Sequence, residues 1–311
     1  MTDTAYPNQS PPAPAARPRR VRRRLPRSAR IALLLAPALT VVAVFFAAGV
    51  VQALAQSFGY QPYLPGGHLS TAAYTALWTD PAVRASLLLT VRVSVLSTAI
   101  AAGLSVGAAL LIRGLGRTRG WITGLFQANL AIPHLVGALC ILLLLAQGGL
   151  LSRLTHAAGL TTSPAAFPAV TNDRFGAAII AEYVWKETPF LTVLTLAALS
   201  RGVHDLENAA RSLGADRWQR LRHVTLPLIA PALAGGSILV FAFAAGSYEV
   251  PYLLGRPYPA TLPVVALQYY NATDLTSRPQ AMAVAVVIAV FSSVIVAGYL
   301  MLVSRLSRRL L

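Results

Sequence analysis

Few side chains in this sequence can do chemistry, and most of them lie in or beside long apolar stretches. Stretch 175–200 holds Glu182, Lys186 and Glu187, stretch 85–112 holds Arg92, and stretch 122–146 holds His134. Glu249 follows the apolar stretch 228–248. An ionisable group near the centre of a bilayer costs at least ~2.5 kcal/mol, so Glu182, Lys186, Arg92, His134 and Glu249 are candidates for a solute path. Each also has a plainer role. Glu182 and Lys186 stand four apart with the acid first, the favourable order for an intrahelical ion pair that neutralises both. Glu249 either faces a cationic solute or pairs with an arginine near the same surface. Arg92 either contacts an anionic solute or snorkels to the surface. His134 follows a proline and is either a packing group or a path group. Pro189 has no N–H to give and predicts a kink in its helix.

Nothing here reads as catalysis. The sequence has no phosphate loop of the form GxxxxGK(S/T), no HExxH and no GxSxG elbow. Its single cysteine, Cys140, sits in an apolar run, so neither a disulfide framework nor a metal cluster is expected. No catalytic, cofactor or metal site is predicted, and ATP is not expected to bind this chain. Gly235-Gly236 predicts a close approach of two helices.

Composition sets the class. The 311 residues are 56% hydrophobic and only 12% charged, with mean hydropathy +0.61. Soluble domains carry roughly a quarter charged residues, and a spanning helix needs about 20 apolar ones. An all-α, polytopic membrane protein is expected, with six spans at 31–55, 85–112, 122–146, 175–200, 228–248 and 279–304. Stretch 31–55 ends in Ala53-Leu54-Ala55, which looks like a cleavage site. Its apolar run exceeds the roughly 7–15 residues of a signal-peptide core, so it is read as the first span.

The net charge of +16 would point to nucleic acid in a soluble protein; here its distribution explains it better. Residues 1–30 carry eight arginines and too little apolar surface to fold alone, so a disordered basic tail is expected. Lipid or nucleic-acid binding is possible for such a run, but a topology-setting segment is favoured. Segments 1–30, 113–119, 201–222 and 305–309 fall on one side of the six spans and hold nineteen of the 26 basic residues. The positive-inside rule then puts both termini and loop 201–227 in the cytoplasm. The long loops on the other side hold Tyr60, Tyr63, Tyr74 and Trp78, residues that suit a membrane interface or a partner's surface.

Stretch 206–227, LENAARSLGADRWQRLRHVTLP, is the most polar segment between two apolar blocks. Leu206, Ala209, Ala210 and Leu213 recur at helical spacing. Gly214 follows, where a left-handed C-cap is expected. A second short helix is predicted from Asp216, and Pro227 suits the start of the next span. Such a helix pair cannot bury its apolar face alone. It must lie against the membrane, its own bundle or another protein.

This stretch resembles the EAA loop of the inner-membrane permease subunits of binding-protein-dependent ABC importers. Ala209, Ala210, Gly214, Val224, Leu226 and Pro227 fall in the positions of that pattern. The glutamate position holds Asn208, with Glu207 one residue earlier, which puts any salt bridge from that position in doubt. Ala131-Ile132-Pro133-His134 and Trp185-Lys186-Glu187-Thr188-Pro189-Phe190 resemble further elements of these permeases. The resemblance covers roughly residues 85–305. Tyr248-Glu249-Val250-Pro251, with Tyr258-Pro259 and Thr261-Leu262-Pro263, is similar to the subgroup serving spermidine/putrescine, iron or aminoethylphosphonate. The resemblance implies a type I importer transmembrane domain over 31–311, which moves a small solute, polyamine favoured, through the bacterial cytoplasmic membrane. Implied partners are separate ABC ATPase subunits docked on loop 201–227, a second permease subunit (a heterodimer favoured) and an extracytoplasmic solute-binding protein. An ion-gradient-driven secondary transporter is the alternative; it would usually show internal symmetry between its halves, and none is clear.

Overall fold

The computed structural model describes residues 27–61, 69–199 and 202–310, with side chains described between residues 30 and 301. Among the described residues every regular element is helical and no strand occurs. The expected basic tail lies, but for its last four residues, outside the described residues, as does Tyr63.

Two units are described separately. The first, residues 1–50, carries most of α1 (Arg27–Ser57). The second holds the remaining elements. Its long helices are α3 (Pro81–Arg113), α7 (Ala177–Leu199), α10 (Leu226–Gly246) and α13 (Arg278–Leu310). Shorter ones are α2 (Ala72–Thr79), α4 (Arg119–Leu130), α5 (His134–Leu145), α6 (Leu150–Ala157), α8 (Val203–Ser212), α9 (Arg217–Arg220), α11 (Glu249–Leu254) and α12 (Leu262–Tyr270).

Five stretches are long and apolar enough to cross a membrane: Arg30–Ser57, Pro81–Arg113, His134–Ala157, Arg217–Gly246 and Leu275–Met301. The 23-residue α7 is long enough as well, about 34 Å at 1.5 Å per residue. Glu182, Lys186 and Glu187 set it apart from the five.

The expected third span, 122–146, is corrected by the structure. It is two half-length helices, α4 and α5, separated at Ala131–Pro133. Pro133 is extended (φ −61°, ψ 144°), and proline biases the residue before it away from the helix. The stretches between spans also hold more helix than their polar composition suggested: α2, α11 and α12 lie there.

Three helices form the centre. α3 packs on α7, and α10 packs on both. The contact stripe of α3 is Ser86, Thr90, Ser94, Ser97, Ala101, Ser105 and Ala109, all buried. Small residues at three- and four-residue spacing let helix backbones come close in lipid. The hydroxyls of Thr90, Ser94 and Ser97 bond back to the carbonyls of Ser86, Thr90 and Val93 (2.8, 2.8 and 2.6 Å), so the stripe has no polar cost. The close approach expected at Gly235-Gly236 is carried by Gly236. A Cβ there would lie 2.5 Å from Leu194 and 2.8 Å from Leu191, whereas Gly235 faces open space.

Capping fixes the helix starts. Asp80 accepts from the Ala82 amide (2.7 Å) with Pro81 beside it at the start of α3. Asp173 accepts from the amides of Phe175, Gly176 and Ala177 (3.0, 3.0 and 2.9 Å) ahead of α7.

Candidate functional site

Two constellations hold the residues that the sequence singles out. The first is at the end of the bundle where α3 and α7 finish and α10 begins. α8 ends in a Schellman arrangement: Gly214, at φ +87°, gives its amide to Arg211, and the Ala215 amide reaches Ala210 (both 3.0 Å). Gly214 therefore occupies the left-handed position expected of it. Asp216 and Gln219 close a reciprocal capping box that opens α9 (2.7 and 2.9 Å). A π-turn, Leu221–Thr225, joins α9 to α10, whose second residue is Pro227. Proline has no N–H for the carbonyl four residues back, and the wider turn accommodates that gap.

The faces of α8 are not as its apolar spacing suggests. Leu206, Ala209 and Leu213 are exposed, as is Trp218 of α9; Leu213 is 89% exposed. The face turned to the bundle carries Val203 and Glu207, both buried. Val203 joins Ala109, Ile112, Leu196, Leu199 and Ile229 in one apolar cluster, with Leu226 packed beside it. Val224 and Pro227 are half-buried at the same junction, and Ala210 is half-buried on α8.

Glu207 is held from two sides. Arg113, the last residue of α3, donates from Nη1 to Oε1 (3.0 Å) and from Nη2 to Oε2 (2.7 Å), a bidentate ion pair. The Thr225 hydroxyl donates to the same Oε1. Burial pushes the Glu207 carboxyl up. The hydrogen bonds from Arg113 and Thr225 and the charges of Arg113 and Arg220 outweigh it, leaving the carboxyl below its ordinary value. Asn208, in the usual glutamate position, is exposed and meets the His204 ring (3.0 Å).

The second constellation lies midway along α7, against the break between α4 and α5. The α-helical ladder ends at the last turn of α4, where the Ala131 and Ile132 amides reach the Ala128 and Asn129 carbonyls (3.2 Å each) and acceptor capacity is left over. Lys186 Nζ donates to two carbonyls at this break, those of Asn129 and Ile132, at 2.6 Å each. In return, Asn129 Nδ2 donates to the Trp185 carbonyl (3.2 Å), four residues before Pro189, where the helix ladder lacks a donor. α7 runs on through Pro189, and each interrupted helix satisfies the other.

The expected Glu182–Lys186 ion pair is therefore corrected. Among the described residues, Lys186 is spent on carbonyls and Glu182 faces His134 instead. His134 Nδ1 lies 3.2 Å from Glu182 Oε1, and Nε2 lies 3.4 Å from Glu187 Oε1. A neutral imidazole donates to one carboxylate and a protonated ring to both. Gly137, a turn along α5, makes the approach possible: a Cβ there would lie 3.0 Å from both Glu182 and Trp185. Phe243 of α10 covers the His134 ring (centroids 4.5 Å apart).

The other two candidates lie at the far end of the bundle. Arg92 stacks over Phe175 (5.2 Å) and reaches the Arg174 carbonyl at 3.5 Å, an anchoring role at the helix surface. Glu249 opens α11 and is exposed; among the described residues no arginine pairs with it, contrary to the plainer expectation. The structure brings Glu182, Lys186 and His134 together and leaves Arg92 and Glu249 apart from them. Spacing did not reveal Arg113, Thr225, Asn129 or Phe243, because each acts across a long sequence separation.

Residues 99–310 match the family described as the binding-protein-dependent transport system inner membrane component. The chain belongs to this family. It is accordingly a multi-pass inner-membrane transport component. Over 255 residues it is 31% identical to the inner membrane ABC transporter permease protein YnjC of Escherichia coli K12. That match covers 78% of this chain and 47% of YnjC, so the chain spans about half the length of that relative. It is 27% identical over 226 residues to the molybdenum transport system permease protein ModB of Mycobacterium tuberculosis, covering 72% of this chain and 81% of ModB. The fold is similar to a chain in the crystal structure of a bacterial ABC transporter involved in the import of the acidic polysaccharide alginate. The TM-score is 0.71 at 19% identity, over 91% of this chain and 96% of that one.

Proposed function

We propose that this chain is the permease subunit of an ATP-driven importer for a small solute, and that α8 and α9 are the surface on which a separate ABC ATPase docks. The observation that carries this reading is the division of α8 into two faces. Val203 and Glu207 fasten it to the bundle, while Leu206, Ala209, Leu213 and Trp218 stay exposed beside a basic surface. An apolar face held rigidly outward has a partner to meet. Residues 1–30 are read as a basic cytoplasmic tail, and arginine distribution puts both termini and α8 in the cytoplasm of a bacterial cell. Two permease subunits, a heterodimer favoured, enclose the path, and an extracytoplasmic solute-binding protein delivers the solute. ATP-driven closure of the ATPases shifts α8 and rocks the bundle between outward- and inward-open states. Such a shift is limited by the partner's differential affinity for the two states.

Polyamine remains the favoured solute, on the subgroup resemblance at residues 248–263 and on the two carboxylates at His134. The relatives named for molybdenum and alginate set the competing classes. Family membership lends no support to the ion-gradient-driven alternative. Uptake into right-side-out or reconstituted vesicles holding ATP inside tests the reading, with spermidine, molybdate and an oligosaccharide compared in the presence of the cognate binding protein outside. ATP-dependent spermidine uptake is expected. ATP-dependent uptake of molybdate alone would replace polyamine with an oxyanion, and gradient-driven uptake indifferent to ATP would overturn the importer.

A further inference from the structure

Glu207, Arg113 and Thr225 come from three different elements and meet at one point. Arg113 closes α3, Glu207 lies in α8, and Thr225 ends the π-turn that leads into α10. Both Glu207 oxygens are engaged, one of them twice. Thr225 and Glu207 are buried while the Arg113 side chain is 31% exposed, so the junction is shielded on its inner side and open to water at the guanidinium. Breaking one partner of such a pair leaves a buried charge uncompensated. Around it, Val203 of α8 locks into the same apolar cluster as Ile112 of α3 and Ile229 of α10. The junction lies on the face of α8 turned to the bundle, whereas Leu206 and Leu213 lie on its exposed side.

We infer that the Arg113–Glu207–Thr225 junction is the joint through which displacement of α8 reaches α3 and α10. Resting on the reading of α8 as a docking helix, this gives Glu207 a role distinct from that of Asn208. Glu207 is a positioning residue that faces inward and makes the two central helices follow α8. The bidentate geometry suits this role, because two parallel bonds resist rotation as well as separation. Thr225 extends the hold to the π-turn that leads directly into α10.

The experiment has two arms. In the first, the chain alone in lipid nanodiscs carries spin labels on exposed positions of α3 and at the C-terminal end of α8, introduced by Leu111→Cys and Leu213→Cys in a Cys140→Ala background. One narrow distance distribution is expected, broadened by Glu207→Gln and by Arg113→Gln. In the second, the reconstituted transporter is assayed for solute taken up per ATP hydrolysed. That ratio is expected to fall about tenfold in Arg113→Gln, within the range by which residues between two sites modulate coupling. It is expected to recover in part with Arg113→Lys, which keeps the charge without the fork. A distribution as narrow in Glu207→Gln as in the wild type overturns the joint, whether or not an ATPase is found. A broadened distribution with an unchanged ratio also overturns it, because the junction would then be merely structural. If the wild-type chain assembles with no ATPase, the importer reading fails, and the first arm still decides whether α8 is tied to α3.

Discussion

Glu207 and Asn208 are adjacent in sequence and face opposite environments, and the difference is electrostatic. Glu207 sits between a guanidinium and a hydroxyl, and its carboxyl is held below the ordinary value of about 4.3. A carboxyl lowered on folding stabilises the protein above its unfolded value, and that contribution disappears as the pH falls through the folded one. The difference in Tm between wild type and Glu207→Gln is therefore expected to be largest near neutral pH and to close below about pH 4, followed by melting of the purified chain. A difference that grows on acidification would contradict this account. Lys186 makes the second prediction at this scale. Lys186→Met keeps the chain's bulk but removes the side-chain donor from the Ile132 carbonyl and leaves the Asn129 carbonyl with only the Ile132 amide at 3.2 Å. Loss of charge-assisted bonds of this kind costs about 1.5–3 kcal/mol each. A clear drop in Tm is expected, whereas Cys140→Ala, at an exposed position on α5, is expected to be nearly silent.

At the scale of the element, the two neighbouring glycines of α10 separate packing from propensity. Both would gain helix propensity as alanine, but only Gly236 meets α7. Gly236→Ala is expected to cost about 1–3 kcal/mol by overpacking. Gly235→Ala is expected to be neutral or slightly stabilising, since alanine is preferred over glycine in a helix interior by about 1 kcal/mol. Denaturant or thermal melts of the two variants decide it; equal effects would contradict the close approach. The helices themselves were largely readable from the amino-acid order. Apolar length marked α1, α3, α7, α10 and α13 to within a few residues, because lipid tolerates only satisfied backbone. The break at Pro133 was missed although the proline was in view. Apolar character runs unbroken across it, and the Ile132 carbonyl at the break is satisfied by Lys186, 54 residues away in sequence. The candidate site was read unevenly for the same reason. Gly214 and Asp216 act within their own turns and were found from spacing. Arg113 acts 94 residues from Glu207 and was not.

At the scale of the whole molecule, the unit from residue 51 onward is a helical bundle with one outward-held helix pair at one end and a polar brace midway along α7. The brace keeps two interrupted helices satisfied, and the helix pair presents apolar surface that the chain itself does not cover. Both make sense if the bundle changes shape when a partner moves α8. On the proposed reading, the arginine distribution puts α8 on the cytoplasmic side, where an ATPase could reach it. The measurement that tests this most directly is capture of the detergent-solubilised chain from its native membrane, with mass spectrometry of what accompanies it. An ATPase carrying a phosphate loop is expected to co-purify with the wild type. It is expected to be lost with Gly214→Leu, because an L side chain at φ +87° disrupts the turn that separates α8 from α9. If no ATPase associates in several mild detergents, and ATP does not stimulate uptake in vesicles, α8 is not a docking helix and the chain is not the permease of an ATP-driven importer.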